Sequence, residues 1–244
     1  MRQQQDLEGL TALVTGATSG IGRATAEELA RQGADLVVHG RDAAHGASVV
    51  DGITAQGGNA RFVSADLGDP EGPGDLVQQA GPVDILVNNA GFAWHGPTAE
   101  IDLATFDQLF AANVRAPYFL VGALAPKMAA RGGGSIINLG SEAGQIGLPN
   151  AAAYSATKGA MASMTRAWAA EFSPAGVRVN TVAPGPVYTA IQPDNETDAL
   201  GATTPMSRAA QPGEIAEVIA FLASPKASYI TGAVLAADGG RTAV

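Results

Sequence analysis

Leu13-Val14-Thr15-Gly16-Ala17-Thr18-Ser19-Gly20-Ile21-Gly22 is the stretch on which the fold turns. An apolar run leads straight into glycines at 16, 20 and 22, and a helical pattern follows over Ile21–Gln32. Glycines at such a junction permit a tight turn and close backbone approach, and the helix beyond offers its amide-rich N-terminus to a pyrophosphate. The spacing is Gly-x-x-x-Gly-x-Gly, not the commoner Gly-x-Gly-x-x-Gly. A phosphate-binding loop of the NTPase kind would need Gly-Lys-Ser/Thr at its far end, where this chain has Gly20-Ile21-Gly22-Arg23. A strand-to-helix turn without a ligand is the plain alternative, and the nucleotide reading stands ahead of it.

Outward from this loop, short apolar runs alternate with helical patterns. Strands are expected at Thr11–Thr15, Leu36–His39, Arg61–Ser64, Ile85–Asn88, Ser135–Leu139, Arg178–Val182 and Val234–Ala236. Their continuous apolar character predicts burial on both faces, as in a parallel sheet. Helices are expected at Ile21–Gln32, Ala43–Gln56, Leu76–Gln79, Leu103–Arg131, Tyr154–Phe172 and Pro212–Ala223. The alternation implies right-handed crossovers and a doubly wound α/β sheet of about seven strands with helices on both faces. No repeat or interdomain linker interrupts it, so residues 1–244 read as a single domain. Pro184–Pro205 is the one long irregular stretch, read as a lid over a site.

Bulk properties exclude several classes. A length of 244 residues suits one large α/β domain. The net charge of −9 argues against nucleic acid or an anionic membrane as partner. Without cysteine there is neither a disulfide framework nor a thiolate metal site. The opening Met1-Arg2-Gln3-Gln4-Gln5-Asp6 is polar, and apolar segments are broken before they could span a bilayer, so a cytoplasmic location is expected. His39 and His45 are spaced wrongly for a metal pair, and no catalytic metal is expected.

In Tyr154-Ser155-Ala156-Thr157-Lys158, the tyrosine and lysine are four apart in an alanine-rich stretch and share one helix face. An ammonium beside a phenol favours the phenolate and would pull the tyrosine pKa down from roughly 10. A tyrosine so placed can act as a general acid or base. Ser141, in Asn138-Leu139-Gly140-Ser141, could hold a carbonyl or alcohol oxygen alongside. Tyr-x-x-x-Lys also arises by chance on ordinary amphipathic helices, so its weight depends on its surroundings.

Taken together, these residues resemble the short-chain dehydrogenase/reductase family over essentially the whole chain. Thr15–Gly22 matches the family's Thr-Gly-x-x-x-Gly-Ile-Gly loop, with Gly16, Thr18, Ser19, Gly20 and Ile21 at the cofactor. Asp66-Leu67 matches the adenine-contacting acidic position and its neighbour. Asn89-Ala90-Gly91, after Asn88, matches the Asn-Asn-Ala-Gly turn that lines the cofactor site. Asn113, Ser141, Tyr154 and Lys158 match the catalytic tetrad, and Pro184-Gly185-x-Val187-x-Thr189 matches the segment that closes over the nicotinamide. The resemblance implies a Rossmann-type dinucleotide-binding fold and hydride transfer between a nicotinamide cofactor and a small carbonyl or secondary alcohol. Tyr154 would be the general acid/base, and Ser141 would orient the substrate oxygen. Lys158 would lower the Tyr154 pKa and hold the nicotinamide ribose, and Asn113 would hold a water that links Lys158 to solvent.

Cofactor choice turns on Val37-Val38-His39-Gly40-Arg41-Asp42. An NAD enzyme usually places an acidic residue there, roughly twenty residues past the glycine loop. Gly40 takes that place and Arg41 follows, so a guanidinium could meet a 2′-phosphate. NADP(H) is favoured over NAD(H). Against it, Ser19 is neutral where many NADP-dependent relatives carry a basic residue, and Asp42 could turn inward.

Candidate substrate contacts are Phe92, Trp94 and His95 after Gly91; Glu142, Gln145 and Ile146 after Ser141; and Tyr188 and Ile191 in the lid. Glu142 is either a pocket carboxylate suited to polyols or cations, or a solvated group. A 3-oxoacyl-(acyl carrier protein) reductase is one alternative. Arg131 stands where a basic docking residue is expected, but Ala175 replaces the second and the chain is acidic, so a free sugar acid, polyol or secondary-metabolite ketone is preferred. A non-catalytic dinucleotide-binding regulator is another alternative, opposed by retention of all four tetrad residues. Apolar residues on several helix faces, including Met128, Met161, Met164 and Trp168, suggest a homotetramer or dimer, with a larger intrachain core as the alternative. The shortened, proline- and glycine-studded Gly68–Gln79 places only its local helix in question.

Overall fold

Apolar runs with no polar alternation call for cover on both faces, and the five inner runs have it, while the edge runs Ala60–Ser64 and Val234–Ala237 stay partly open, with Leu235 39% exposed. The computed structural model describes residues 6–189 and 193–244. Seven strands, β1 Thr11–Val14, β2 Asp35–Gly40, β3 Ala60–Ser64, β4 Ile85–Asn88, β5 Gly134–Leu139, β6 Val177–Pro184 and β7 Val234–Ala237, form one sheet in the order β3-β2-β1-β4-β5-β6-β7. Every pairing is parallel. The order reverses between β1 and β4, and the crevice at such a switch point is where doubly wound sheets take their ligands.

The helices are α1 Gly20–Arg31, α2 Ala43–Ala55, α3 Gly72–Ala80, α4 Leu103–Phe110, α5 Ala116–Ala130, α6 Ala152–Phe172, α7 Asp194–Gly201 and α8 Pro212–Ala223. Alternate strand residues feed two cores. Ala12, Val14, Leu36, Val38, Ile85 and Val87 meet Leu29 of α1, Ile53 of α2 and Ile219 of α8. Leu13, Val37, Leu86 and Ile136 meet Leu76 of α3, Leu124 of α5 and Trp168 of α6. Each fully buried leucine contributes about 1.5–3 kcal/mol of transfer free energy.

Three segments differ from the sequence expectation. Residues 72–80 form a full helix despite their glycines and prolines. Pro73 sits in its first turn, where no N–H is needed, and a Cβ at Gly72 would lie 1.9 Å from the Asp66 carbonyl oxygen. The expected long helix Leu103–Arg131 is divided by a π turn at Ala111–Arg115 that carries Asn113. Pro117 stands four residues after Asn113 and has no N–H, so the Asn113 carbonyl loses its ordinary helical donor. The stretch read as an irregular lid contains α7. Asp194 and Glu196 in its first turn favour the positive end of the helix, while Thr197 is buried and Gly201 lies against Ala209. Ile191 lies outside the described residues.

A buried polar row fixes α6 on the sheet. Asn88 donates to Asn138 Oδ1 at 2.8 Å, Asn138 donates to Thr165 Oγ1 at 2.8 Å, and Thr165 meets Thr181 at 2.7 Å. Thr165 stands two helical turns past Lys158, on the same face. Met128, Met161 and Trp168 belong to the intrachain core, which corrects their assignment to a subunit interface. Leu103, Phe106, Tyr118 and Phe119 are the exposed large apolar residues of α4 and α5.

Candidate active site

The glycine loop hangs from the switch point. Thr15 Oγ1 donates to Val87 O at 3.2 Å and accepts from the Asn89 and Ala90 amides, each at 3.0 Å. Asn89 Nδ2 reaches back to the Thr15 and Gly16 carbonyls at 2.9 and 3.0 Å. Gly16 is left-handed (φ +62°), and a Cβ at Gly22 would lie 2.2 Å from the Gly16 oxygen. Side chains would therefore fill the cradle. Ser19 caps α1 without using its hydroxyl, so the first amides of α1 have no side-chain partner there. Gly20 faces Thr189, which brings the 184–189 segment over the loop. Pro184 ends β6, Gly185 packs on Asp238, and Val187 bridges to Ala210.

At the end of β2, a Cβ at Gly40 would lie 2.5 Å from Thr18 Cγ2, so this position has no room for a carboxylate. Asp42 accepts from the Ala44 and His45 amides at 2.8 and 3.0 Å as the N-cap of α2 and pairs with His45 at 2.9 Å. It is thereby engaged, while Arg41 is exposed. Asp66 is exposed and closes a turn by accepting from Gly68 N, and Leu67 is buried beside it.

Across the crevice, β5 delivers Ser141 and α6 delivers Tyr154 and Lys158. Gly144 lets the Ser141 turn lie on α6, since a Cβ there would be 2.9 Å from the Lys158 carbonyl carbon. The Tyr154 phenol lies close to the Ser141 hydroxyl, which accepts from the Ala143 amide at 3.2 Å. Lys158 donates to the Leu139 carbonyl at 2.9 Å and lies 5.5 Å from the centroid of the Tyr154 ring. Burial lowers the Lys158 pKa to about 8. It raises the Tyr154 pKa, opposed by the nearby Ser141 hydroxyl and helped by the Glu142 charge. The sequence expectation of a lysine-depressed phenol is not met: burial is the leading cause of the shift, and its direction is upward. Asn113 pairs with both backbone groups of Phe92, at 3.1 and 2.9 Å, and donates to Thr157 at 3.1 Å. Both of its side-chain N–H groups are engaged, and Gly91 leaves room for it.

Of the candidate substrate contacts, His95 lies beside Tyr154, with ring centroids 5.8 Å apart. Trp94 packs against Gly96, and Gln145 is exposed. The Tyr188 hydroxyl is held by Asp198 of α7. Glu142 is neither solvated nor free: it is buried and paired with Arg241 at 2.9 Å, one carboxylate oxygen lacking a partner. Burial raises its pKa, Arg241 lowers it and Asp238 adds to the rise. Sequence reasoning missed Arg241, which lies 99 residues away with no motif around it, and missed the contacts of buried His39. Among the described residues no group of His, Cys, Asp and Glu could hold a metal ion.

The tight glycine cradle, the unengaged amides of α1 and exposed Arg41 fit a phosphate-rich dinucleotide. Comparison with known proteins agrees. A family model described as enoyl-(acyl carrier protein) reductase matches residues 16–242. Galactitol 2-dehydrogenase (L-tagatose-forming) of Cereibacter sphaeroides is 43% identical, with 97% of this chain and 96% of the relative covered. A solved short-chain dehydrogenase/reductase family protein is 52% identical with a TM-score of 0.91, covering 98% of this chain and 100% of the other. Angucycline C-6 ketoreductase with bound NADP is 36% identical with a TM-score of 0.91, covering 98% of each chain. On these matches, and on a site assembled at the switch point of a seven-stranded parallel sheet, the chain belongs to the short-chain dehydrogenase/reductase family of NAD(P)-dependent oxidoreductases.

Proposed function

We propose that the protein interconverts a small free ketone and its secondary alcohol with NADP(H) as the favoured cofactor. The observation that carries this reading is the placing of Tyr154 beside Ser141, with buried Lys158 one helical turn further along α6. When bound, the nicotinamide supplies or accepts the hydride. Tyr154 passes its proton to the carbonyl oxygen, or takes it back in the oxidising direction. Its raised pKa keeps the phenol protonated at neutral pH, which suits reduction. Ser141 orients the same oxygen by a hydrogen bond. Lys158, with a pKa of about 8, takes and gives protons near neutrality, and it would also hold the nicotinamide ribose. Because the Asn113 side chain is engaged, its carbonyl is the group left to hold a relay water.

Gly16, Thr18, Ser19, Gly20, Ile21, Asp66, Leu67, Asn89, Ala90, Gly91, Pro184, Gly185, Val187 and Thr189 form the cofactor's proposed surroundings. Arg41 meets the 2′-phosphate, a choice supported by the lack of space at Gly40 and the engagement of Asp42. The galactitol relative and the ketoreductase neighbour support a polyol, sugar-acid or secondary-metabolite ketone. The family-model description keeps an acyl-carrier-protein substrate as the second reading. Against it, Arg131 is tied to Asp84 at 3.0 Å. A screen of polyols, sugar acids, cyclic ketones and acyl thioesters, read by NADPH and NADH absorbance in both directions, tests the proposal. We expect a free carbonyl to turn over with NADPH preferred, and Arg41→Ala to erase about tenfold or more of that preference. A clear NADH preference in the wild type overturns the cofactor choice. Tight cofactor binding with silence across the panel would favour a regulator instead.

The absence of cysteine supports a cytoplasmic setting, and among the described residues no helix is long and apolar enough to cross a membrane. Exposed Leu103, Tyr118 and Phe119 support a homotetramer or dimer, and sedimentation showing monomer alone would refute it.

A further inference from the structure

We propose that His39, held neutral with a bare Nδ1, positions the glycine loop for the dinucleotide and lets it go on protonation. The inference rests on the reading that this loop binds the cofactor. His39 is 3% exposed in β2 and meets three parts of the cradle at once. Its Nδ1 accepts from the Gly16 amide at 3.2 Å. Its carbonyl accepts from the Ala17 amide at 2.8 Å. Its Nε2 lies 3.2 Å from the Ala65 carbonyl, next to Asp66.

These partners dictate the tautomer. An amide N–H can only donate and a carbonyl can only accept, so Nδ1 must be bare and Nε2 must carry the proton. A second proton would set N–H against N–H at Gly16. That glycine already sits in the left-handed region, and its amide would lose its acceptor. Protonation therefore acts at the entry of the loop, one strand end away from Arg41.

The charged surroundings decide when this happens. Asp66, from the turn after β3, favours the imidazolium, as does the hydrogen bond to Ala65. The glycine loop offers no titratable group from Thr15 to Gly22. On the histidine's own strand Asp35 is exposed, as is Arg41 just past its end, and Asp42 beyond them is paired with His45. Burial opposes protonation and prevails, holding the imidazole below its ordinary 6.5. The unfolded chain thus takes the proton first. Loop order is complete above 6.5 and is lost as pH falls through the lower folded value.

Dinucleotide affinity should follow the neutral fraction, weakening by up to tenfold per pH unit below the His39 pKa. The test measures NADPH dissociation constants from pH 7.5 to 5 for the wild type, His39→Asn and His39→Leu. The asparagine carbonyl can accept from Gly16 without titrating. That variant should bind within about threefold of wild type at pH 7.5 and then lose less affinity than wild type on acidification. Titration of the ligand's own 2′-phosphate, near pH 6, is common to both proteins and cancels in the difference. The leucine variant should bind about tenfold more weakly throughout. Nitrogen-15 NMR of the wild type should show a bare Nδ1 and a protonated Nε2 at neutral pH, whether or not either variant folds. Parallel pH curves for wild type and His39→Asn, or an Nδ1-protonated ring at neutral pH, would overturn the proposal. Failure of the wild type to bind NADPH or NADH at any pH would instead bring down the functional reading beneath it.

Discussion

On the β1–β2 side of the crevice the chain offers glycines, main-chain amides and one exposed arginine, whereas on the β5–α6 side it offers a tyrosine, a lysine and a carboxylate withdrawn from water. The first side is limited by space. Gly16, Gly22 and Gly40 each stand where a Cβ would press on a neighbour. The second side is limited by charge, because Lys158 and Glu142 must keep ionisable groups in a poorly solvated setting. Substitutions should therefore fail differently: by exclusion of the dinucleotide on one side, and by altered protonation or stability on the other.

The sharpest way to break this comparison is Tyr154→Phe. Removing only the hydroxyl should lower kcat by about 10²–10⁴ while NADPH affinity stays within about twofold. Near-normal turnover, or a large loss of cofactor affinity, would show that the two sides are not separable. Next comes Arg241→Met, which strands the buried Glu142 carboxylate and should cost about 3 kcal/mol by chemical denaturation. The double variant Glu142→Gln with Arg241→Met should recover most of that loss; equal losses in single and double variants would deny the coupling. The smallest change in stability belongs to Lys158→Met, which should abolish rapid turnover yet raise stability by about 1–2 kcal/mol at pH 7. Lys158 has a folded pKa of about 8 against an ordinary 10.5, so its burial penalty is full below pH 8 and vanishes above 10.5. The advantage of the methionine variant should fade across that window. An advantage that persisted above it would have to come from packing rather than charge.

The strands were legible because a short unbroken apolar run needs cover on both faces, and the interior of a parallel sheet supplies it. Only the second half of α3, Leu76–Gln79, was legible, and α7 was not, since tertiary contacts at Gly72 and Gly201 and end charges on α7 hold the rest rather than periodicity. Within the site, the i,i+4 spacing of Tyr154 and Lys158 and the glycine loop announced themselves. The direction of the Tyr154 shift did not, because a sequence states which charges are near but not how much water has been removed. The pairing of Glu142 with Arg241 escaped notice for a related reason: contact across 99 residues leaves no local pattern. Asn113 reaches α6 through Thr157, yet the rest of its amide holds the Phe92 turn, a task that no spacing announces.

The buried row of Asn88, Asn138, Thr165 and Thr181 takes one member from each of β4, β5, α6 and β6. Detaching any one of these elements orphans a polar group on a neighbour, so none can open cheaply by itself. The helix that carries Tyr154 and Lys158 therefore shares the fluctuations of the central strands rather than those of a surface helix. The tyrosine keeps its aim without drawing on the ligand to hold it there.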